Sequence, residues 1–583
     1  MMVDEKLDAL RRKLREDNLD AYYVTGSDSH QSEYVAPHWR VREFLSGFTG
    51  SAGTVVVTQD KALLWVDSRY FIQAASEIKE TEFEMMKMES TDPSAIEWML
   101  SNLEKGAKVA VEESEISISS FDEISKALGE KDISFIPTKD ILSSIWIDRP
   151  AIPHTAVCEM RDEYVGISSF EKLQIIRREL KRKGASWFFL SGLDDIAWLT
   201  NLRADDIPYN PVFYAFMFIS QDRAVLFTSK DRFERLDGYP FEIKDYSEVF
   251  ESLSSLIQGK GCYDPKKVVM SFKRYFSDDD MECRDMTTDL KAVKNDVERE
   301  GMRMCHVEDG AAYVDFLARL DRKKVTDEIS VSDALERERE KRKGYLGPSF
   351  SPISGFSEHG AMCHYSASAE SNKKIEGDGL LVLDTGSQFE YGMTDITRTL
   401  LFGNANAEEI KDYTLVLKGH LALSRQRFIK GTCGVHLDVL AKQFLWQNGE
   451  SYFHGTGHGV GCHLNVHEGP MKISSHLIDV PLRPGMVISD EPGVYKEGRH
   501  GIRIENLIMV KEDIITEFGD FYSFEVLTLV PYEKALIDDT LLSDEEIKQI
   551  NDYHKRVYES LKDRVDESSL DYLEKATSPI KRN

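Results

Sequence analysis

The chain has 583 residues, of which 41% are hydrophobic and 30% charged. This composition is typical of a folded globular protein and too apolar for a disordered one. Its 73 Lys and Arg residues and 101 Asp and Glu residues give a formal net charge of −28. Because this excess repels phosphates and anionic lipid headgroups, we expect no nucleic acid and no membrane surface among its partners. Cations and uncharged or cationic ligands are favoured instead.

The N-terminal residues and the cysteines indicate a cytoplasmic protein. The opening segment MMVDEKLDALRRKLRED is charged throughout, and the sequence has no stretch of about 18 uncharged apolar residues. The seven cysteines are scattered and form no CxxC pair. We therefore expect neither a signal peptide nor a membrane span, and free thiols in a reducing compartment.

The first half of the chain contains an internal repeat. The segments LRRKL (10–14), AYYVTG (21–26) and VTQDKALLW (57–65) are echoed by IRREL (176–180), WFFLSG (187–192) and ISQDRAVLF (219–227). Each copy predicts an amphipathic helix, a buried strand, a loop and a strand pair that turns at Gln-Asp. We expect two similar α/β domains, at residues 1–150 and 151–292, joined by a linker with two prolines at 147–154. Chance similarity between short α/β units is the alternative.

Residues 293–583 lack the repeat and are predicted to form a third domain. A charged helical pattern begins near Asp296 and runs toward Leu320, and another helix is predicted from about Ala407 to Phe428. Near the end, Ser543 and Glu546 have the spacing of a helix-capping box. Strands are predicted at 380–384, 394–401, 486–491 and 501–510 from their apolar runs.

Two acidic residues in apolar strands are the first candidates for chemistry. Asp384 ends one strand and Asp395 begins the next, with a Gly-containing turn between them. A hairpin would bring both carboxylates together, where like charges repel unless they are protonated or bridged by a cation. Two solvent-facing carboxylates at a sheet edge are the alternative.

A Gly-rich segment supplies the histidines. His454, His458, His463 and His467 fall within 14 residues, although the whole chain has only 15 histidines. Glycines let the backbone approach a ligand closely, and imidazoles at fixed positions beside them can reach a metal or a reacting group. One histidine in such a loop is usually structural, but four together favour a functional site.

Glu491 and Glu505 complete a possible ligand set. Glu491 ends a strand, whereas Arg503 and Glu505 share one face of a later strand, where a buried ion pair is the alternative interpretation. Asp384, Asp395, His458, Glu491 and Glu505 together offer four carboxylates and one imidazole, which balance two divalent cations. The oxygen-rich set favours Mn²⁺, with Co²⁺, Fe²⁺ or Zn²⁺ as alternatives, over a closed structural zinc site. Two such ions can hold a bridging hydroxide as nucleophile and polarise a carbonyl, so the set predicts metal-assisted hydrolysis.

These segments resemble the pita-bread metallopeptidases, and among them the three-domain Xaa-Pro aminopeptidases (aminopeptidase P). The similarity also includes residues 43–53, 193–203, 210–213 and 292–295, and it spans nearly the whole chain. It implies an α/β fold with two tandem creatinase-like N-terminal domains followed by a pita-bread catalytic domain with a C-terminal helix. The implied activity is hydrolysis of the N-terminal Xaa-Pro bond of peptides, by a homodimer formed mainly through the catalytic domain.

The resemblance also implies roles for individual residues. Asp384 would bind one metal, His458 and Glu491 the other, and Asp395 and Glu505 both, with Glu491 also serving as general base for metal-bound water. The remaining implied residues are three histidines that line the substrate site and move protons, an arginine that holds Glu505 or its neighbours, and an arginine directed toward the substrate: His364, His454, His467, Arg503 and Arg42.

Several positions depart from the family pattern, and alternatives to the aminopeptidase remain. Cys462 and His463 stand where relatives more often have small or apolar residues, and His359 stands where asparagine is common. We interpret these differences as packing variation; an altered substrate preference is the other interpretation. A prolidase would use the same ligands but typically has one N-terminal domain. Methionine aminopeptidases resemble only the last part of the chain, and a peptide-binding pseudoenzyme or a metal-free, creatinase-like hydrolase would usually lack metal ligands.

Overall fold

The computed structural model describes residues 2–88, 92–234, 237–322, 326–369 and 371–582. The chain forms two compact units, one made of Met1–Glu159 and Ile167–Thr288 and the other of Met160–Gly166 and Asp289–Asn583. The segment Met160–Gly166 belongs to the second unit, where the Asn295 side chain donates to the Val165 carbonyl at 2.9 Å. The division into three domains at 150/151 and 292/293 stays a prediction.

The first unit contains two six-stranded sheets with the same strand order and the same pattern of parallel and antiparallel neighbours. The first sheet runs in spatial order through Phe83–Lys87, Ala62–Val66, Thr54–Thr58, Ala21–Val24, Lys108–Glu112 and Ser134–Thr138. The second runs through Glu242–Lys244, Ala224–Phe227, Phe216–Ser220, Trp187–Leu190, Gly261–Tyr263 and Met281–Glu282. The predicted repeat is therefore confirmed as a repeat of topology.

The helices of this unit follow the same duplication. Val3–Glu16 precedes the first sheet and Ser169–Lys183 the second, and each buries one leucine-rich face. Ser168 caps the second of these helices, and Gly184 ends it in the left-handed conformation that glycine adopts without strain. Further helices lie at Val41–Ser46, Phe71–Glu77, Ala95–Asn102, Ile118–Gly129, Leu193–Thr200 and Val249–Leu256, and the helix Met286–Ala292 begins in this unit and ends in the second.

The second unit combines six longer helices with several short antiparallel sheets. The helices are Asp296–Arg319, Glu328–Arg339, Ala407–Ser424, Val435–Trp446, Asp544–Leu561 and Leu570–Thr577. Its two largest sheets are Ile353–Phe356, Gly379–Thr385 and Ile396–Phe402, and Phe428–Ile429, Gly519–Val526, Asn506–Thr516 and Val487–Asp490. Shorter strands are Tyr345–Pro348, Ser387–Phe389, Gly392–Met393, Gly457–His458, Lys472–Ile473, Gly493–Lys496 and His500–Arg503. Within the described part of the chain, no helix is long and apolar enough to cross a membrane.

The helix starts follow the expected capping chemistry. Asn295 caps the helix that begins at Asp296, and Ser543 forms a capping box with Glu546 at the start of Asp544–Leu561. The prediction of a helix continuing to Phe428 is wrong by one turn, since the helix ends at Ser424 and Phe428 starts an edge strand.

One predicted strand is divided in two. The sequence predicts a continuous strand over 501–510, whereas the structure has His500–Arg503 paired with Gly493–Lys496 and Asn506–Thr516 paired with Val487–Asp490. The buried Ile504 and Glu505 form the break. The strand changes partner at this break, which periodicity alone cannot reveal.

Candidate metal centre

The five residues expected to bind metal converge in the second unit. Asp384 lies on the strand Gly379–Thr385, opposite Thr397, and Asp395 immediately precedes the partner strand Ile396–Phe402. Side-chain ligand atoms of Asp395, His458 and Glu505 lie within 4.8 Å of one another. His458 Nε2 is 3.4 Å from Asp395 Oδ2 and 3.5 Å from Glu491 Oε1. Four distant parts of the sequence thus meet at one buried site.

Burial and mutual repulsion make this cluster unfavourable as a set of free carboxylates. Burial raises the pKa of Glu491 to about 7 and that of Asp395 to about 6. Burial, together with the charges of Asp395, Asp384 and Glu491, raises the pKa of Glu505 well above its usual range. The pKa of Asp384 is also raised by burial, against the opposing effect of Arg503. Each shift means that the negative form lacks compensating positive charge.

The imidazole of His458 is oriented as a ligand. Its Nδ1 lies 3.0 Å from the Gly459 carbonyl oxygen, an acceptor, so the proton of the neutral ring belongs on Nδ1. Nε2 then presents its lone pair toward Asp395 and Glu491. A metal-binding histidine usually has its second nitrogen fixed in this way.

Arg503 connects the carboxylates to a neighbouring tyrosine. Its guanidinium donates to Asp384 Oδ2 at 2.5 Å and to the Tyr495 hydroxyl oxygen at 2.8 Å. Thr397 donates its hydroxyl to Glu505 Oε2 at 2.7 Å. His454 Nε2 lies 2.9 Å from the same Tyr495 hydroxyl. The arginine therefore orients Asp384 directly, and Tyr495 couples it to His454.

The other two candidate histidines, His467 and His364, have different neighbours. The His467 ring packs edge-on against His458, with centroids 4.3 Å apart, and its charge lowers the pKa of Asp395. His364 follows Cys363, whose thiol hydrogen-bonds Tyr495 and whose pKa is raised to about 11 by burial. The part of His364 in substrate binding stays a prediction.

Arg42 belongs to the first unit and is buried there. Its guanidinium donates to the carbonyl oxygens of Gly50 and Gly53, and burial lowers its pKa to about 10. These contacts fix the Arg42 side chain against its own loop. A contact between Arg42 and substrate stays a prediction.

The structure also shows the environments of the residues that depart from the family pattern. His359 Nδ1 lies 3.0 Å from the buried Glu328 carboxylate, and its ring packs on Tyr365. Cys462 is buried, with Sγ 3.5 Å from the Tyr391 carbonyl oxygen, and His463 Nδ1 lies 3.2 Å from Gln388 Oε1. These contacts support the interpretation of packing variation.

Sequence reasoning missed three buried residues that organise this region. Glu328 is fully buried and accepts bonds from the Phe356 and Lys373 amides at 2.7 and 2.8 Å, as well as from the Tyr365 hydroxyl. Lys294 forms a buried ion pair with Glu468, next to His467. Only burial could have revealed them, since a charged residue in a helical or loop pattern is normally predicted to face solvent.

The donor set suits a pair of divalent cations. Asp384 Oδ1 is buried and has no hydrogen-bond partner among the described residues, so one carboxylate oxygen is available to a cation. Four carboxylates and a neutral imidazole supply hard oxygen and borderline nitrogen donors. Bound divalent ions would neutralise the excess negative charge that the raised pKa values of Glu505 and Asp384 report.

Comparison with known families assigns the class of protein. Residues 300–512 match metallopeptidase family M24, and residues 520–580 match the C-terminal region of that peptidase family. Residues 6–145 and 148–298 each match the creatinase/prolidase N-terminal domain. The chain belongs to metallopeptidase family M24, with creatinase-like N-terminal domains and a pita-bread catalytic domain.

Two sequence relatives and one solved structure extend the comparison beyond the family. A probable Xaa-Pro aminopeptidase P of Paracoccidioides brasiliensis (strain Pb03) is 39% identical over 611 residues, covering 99% of both chains. A protein of the same name from Neosartorya fischeri is 40% identical over 606 residues, covering 99% of this chain and 92% of its own. The X-prolyl aminopeptidase from Caenorhabditis elegans, described as a cytosolic enzyme with a di-nuclear active site, superposes with a TM-score of 0.95 at 32% identity over 100% of both chains. The resemblance stated from the sequence is confirmed.

Proposed function

We propose that this protein is an Xaa-Pro aminopeptidase that removes the first residue from peptides with proline at position 2. The observation that carries the proposal is the convergence of three buried carboxylates, the partly buried carboxylate of Glu491 and His458 Nε2 in one cluster. The similarity to proteins named Xaa-Pro aminopeptidase over nearly their full length supports the choice of substrate.

Two divalent cations, with Mn²⁺ as the best match to the donor set, are the proposed cofactors. Asp384 would hold one ion, His458 and Glu491 the other, and Asp395 and Glu505 both. When bound, such a pair supplies Lewis acidity and an activated water at neutral pH. Arg503 keeps the Asp384 carboxylate oriented, and Thr397 does the same for Glu505.

Glu491 is the proposed general base. Burial raises its pKa to about 7, which identifies this carboxylate as a group able to hold a proton inside the site. It takes a proton from the attacking water and releases it toward the leaving group. General-base transfer requires a carboxylate within hydrogen-bond reach of that water.

His467 and His364 are the proposed proton carriers for the leaving group. The bond before proline is a tertiary amide, so the departing nitrogen has no hydrogen and must gain a proton as the bond breaks. His467 packs on His458 at the edge of the carboxylate cluster. His454, whose Nε2 lies 2.9 Å from the Tyr495 hydroxyl, would contact the substrate. The negative charge of the cluster would also attract the positively charged α-ammonium group of the substrate.

The test is hydrolysis of an Xaa-Pro-Pro tripeptide and an Xaa-Pro dipeptide, each with Mn²⁺ and with a chelator. We expect release of the first residue from the tripeptide and loss of turnover with chelator. Glu491→Gln and His458→Ala should each abolish turnover, whereas the exposed controls Glu497→Gln and His476→Ala should retain it. Cleavage of the dipeptide alone would assign the protein to the prolidases, and binding without cleavage would indicate a pseudoenzyme.

Three further assignments accompany this function as proposals. A cytosolic location agrees with cysteines that form no disulfide in the described part of the chain and with the description of the Caenorhabditis elegans relative. Three domains, at 1–150, 151–292 and 293–583, agree with the two sheets of duplicated topology and the separate family matches. A homodimer is implied by the family resemblance, and size-exclusion chromatography with light scattering would test it.

A further inference from the structure

We propose that Cys262 and Cys283 form a thiol-modification site, at which hydrogen peroxide converts a neighbouring pair of thiols into a reversible disulfide. The site lies in the second sheet of the N-terminal unit and is independent of the metal centre and of the proposed peptidase activity.

Strand register brings the two cysteines together. Gly261–Tyr263 and the edge strand Met281–Glu282 are parallel neighbours, with Cys262 opposite Met281. Side chains two residues apart point to the same face of a sheet, so Cys283 follows Met281 on the face that carries Cys262. The Cys283 amide donates to the Tyr263 carbonyl at 3.0 Å, which extends the parallel pairing beyond Glu282 and keeps Cys283 beside the strand that carries Cys262. Both are free cysteines.

The two thiols differ in access and in ionisation. Cys283 is partly exposed, whereas Cys262 is buried. The hydrogen bond from Cys262, aided by the charge of Lys183, lowers the pKa of Cys283 to about 7, and the same hydrogen bond raises the pKa of Cys262. A partly exposed thiol with a lowered pKa next to a second thiol is the arrangement found in redox-sensitive cysteine pairs. Cys283 is thus the attacking sulfur and Cys262 the resolving one.

The reaction balances with peroxide as the oxidant. The Cys283 thiolate attacks one peroxide oxygen, the O–O bond breaks, and sulfenic acid and hydroxide form. Cys262 then loses its proton to hydroxide and attacks the Cys283 sulfur, the S–O bond breaks, and the departing hydroxide is protonated. Overall, two thiols and one hydrogen peroxide give one disulfide and two waters.

The location of Cys283 gives it room to form this bond. It follows the last residue of an edge strand, so its sulfur is not held by a strand on the outer side. Cys305 and Cys462 also lie close enough to interact electrostatically, but both are buried. Peroxide therefore reaches Cys283 before that second pair.

The test uses the full-length protein under graded peroxide, followed by tryptic digestion without reductant. Cleavage at Lys260, Lys266, Arg274 and Arg284 separates the two cysteines into peptides 261–266 and 275–284. We expect these peptides to appear joined, and to separate with dithiothreitol. Cys283→Ser should abolish the joined product, whereas Cys262→Ser should leave a sulfenic acid on Cys283 that dimedone traps. Cys158→Ser, at an exposed thiol whose pKa is raised, is the matched control and should change neither result.

A second measurement does not depend on disulfide formation. At pH 7, iodoacetamide should label Cys283 about fivefold faster than Cys158, since a larger thiolate fraction outweighs its lower nucleophilicity. Equal labelling rates would overturn the proposal. So would the absence of the joined peptides at a peroxide dose that leaves Cys283 oxidised in the folded wild-type protein.

Discussion

Removing the charge of Glu491 should stabilise the cation-free protein at alkaline pH, even though the same change abolishes turnover. In the chelated protein, the Glu491 carboxylate is buried beside Asp395 and Asp384, whose negative charges oppose its ionisation. Glu491→Gln keeps the shape of the side chain and removes that charge. The prediction therefore separates stability from activity at one residue.

The magnitude follows from the pKa of Glu491. A shift from 4.5 to about 7 corresponds to about 3 kcal/mol, at 1.36 kcal/mol for each tenfold change. Because the pKa is raised in the folded state, this carboxyl contributes stability that is fully present below pH 4.5 and is lost as pH rises through 7. The variant should thus gain about 3 kcal/mol relative to wild type at pH 8 and almost nothing at pH 4.5.

The assay is urea unfolding of both chelated proteins between pH 4.5 and 8. Hydrogen exchange in peptides from Val487–Asp490 and Asn506–Thr516 would report the second unit, because the whole chain need not unfold in one transition. Addition of Mn²⁺ should reverse the order of stability at pH 8, because the wild type should be stabilised more than Glu491→Gln. A variant less stable than wild type in chelator at pH 8, or a difference that does not change with pH, would refute the reasoning.

Three further predictions concern residues outside the ligand set. Glu328→Gln should raise KM about tenfold with a smaller change in kcat, because the buried carboxylate holds the segment that carries His364. Tyr365→Phe removes only the hydroxyl contact with Glu328 and should have a weaker effect. An unchanged KM in Glu328→Gln would contradict this role. Lys294→Met should cost about 1–3 kcal/mol in urea unfolding, because the buried Glu468 carboxylate then keeps only Lys291, whose Nζ is 4.0 Å away. Adding Glu468→Gln should recover part of this loss; equal losses in the single and double variants would argue against the ion pair. Ser543→Ala should cost about 1 kcal/mol by removing the helix cap, and no change in the unfolding midpoint would contradict the capping box.

Local chemistry made much of the fold predictable. The repeated helix, strand and Gln-Asp turn gave the duplicated sheets, because each signal lies within a few residues of the element that it defines. Ser543 likewise marks a helix start, because its side-chain oxygen accepts a hydrogen bond from the amide of Glu546, three residues later. The break at Ile504 and Glu505 was not predicted because it depends on which strands pair, and that pairing is decided by distant parts of the chain.

The candidate metal ligands could be predicted from the sequence, but the residues that hold them and their neighbours in position could not. Asp384 and Asp395 could be recognised because burying a carboxylate in an apolar stretch is costly unless a partner compensates its charge. Tyr495 and Glu328 gave no comparable signal, since their importance depends on partners elsewhere in the chain: Tyr495 meets Arg503 and His454, and Glu328 meets Tyr365. Such contacts exist only once the chain has folded.

The most direct test of the central claim is a crystal of the protein grown with Mn²⁺ and measured for anomalous scattering at the manganese edge. We expect two peaks in the second unit, one beside Asp384 and the other beside His458 and Glu491, with Asp395 and Glu505 between them. A single peak, or peaks away from these five side chains, would contradict the account.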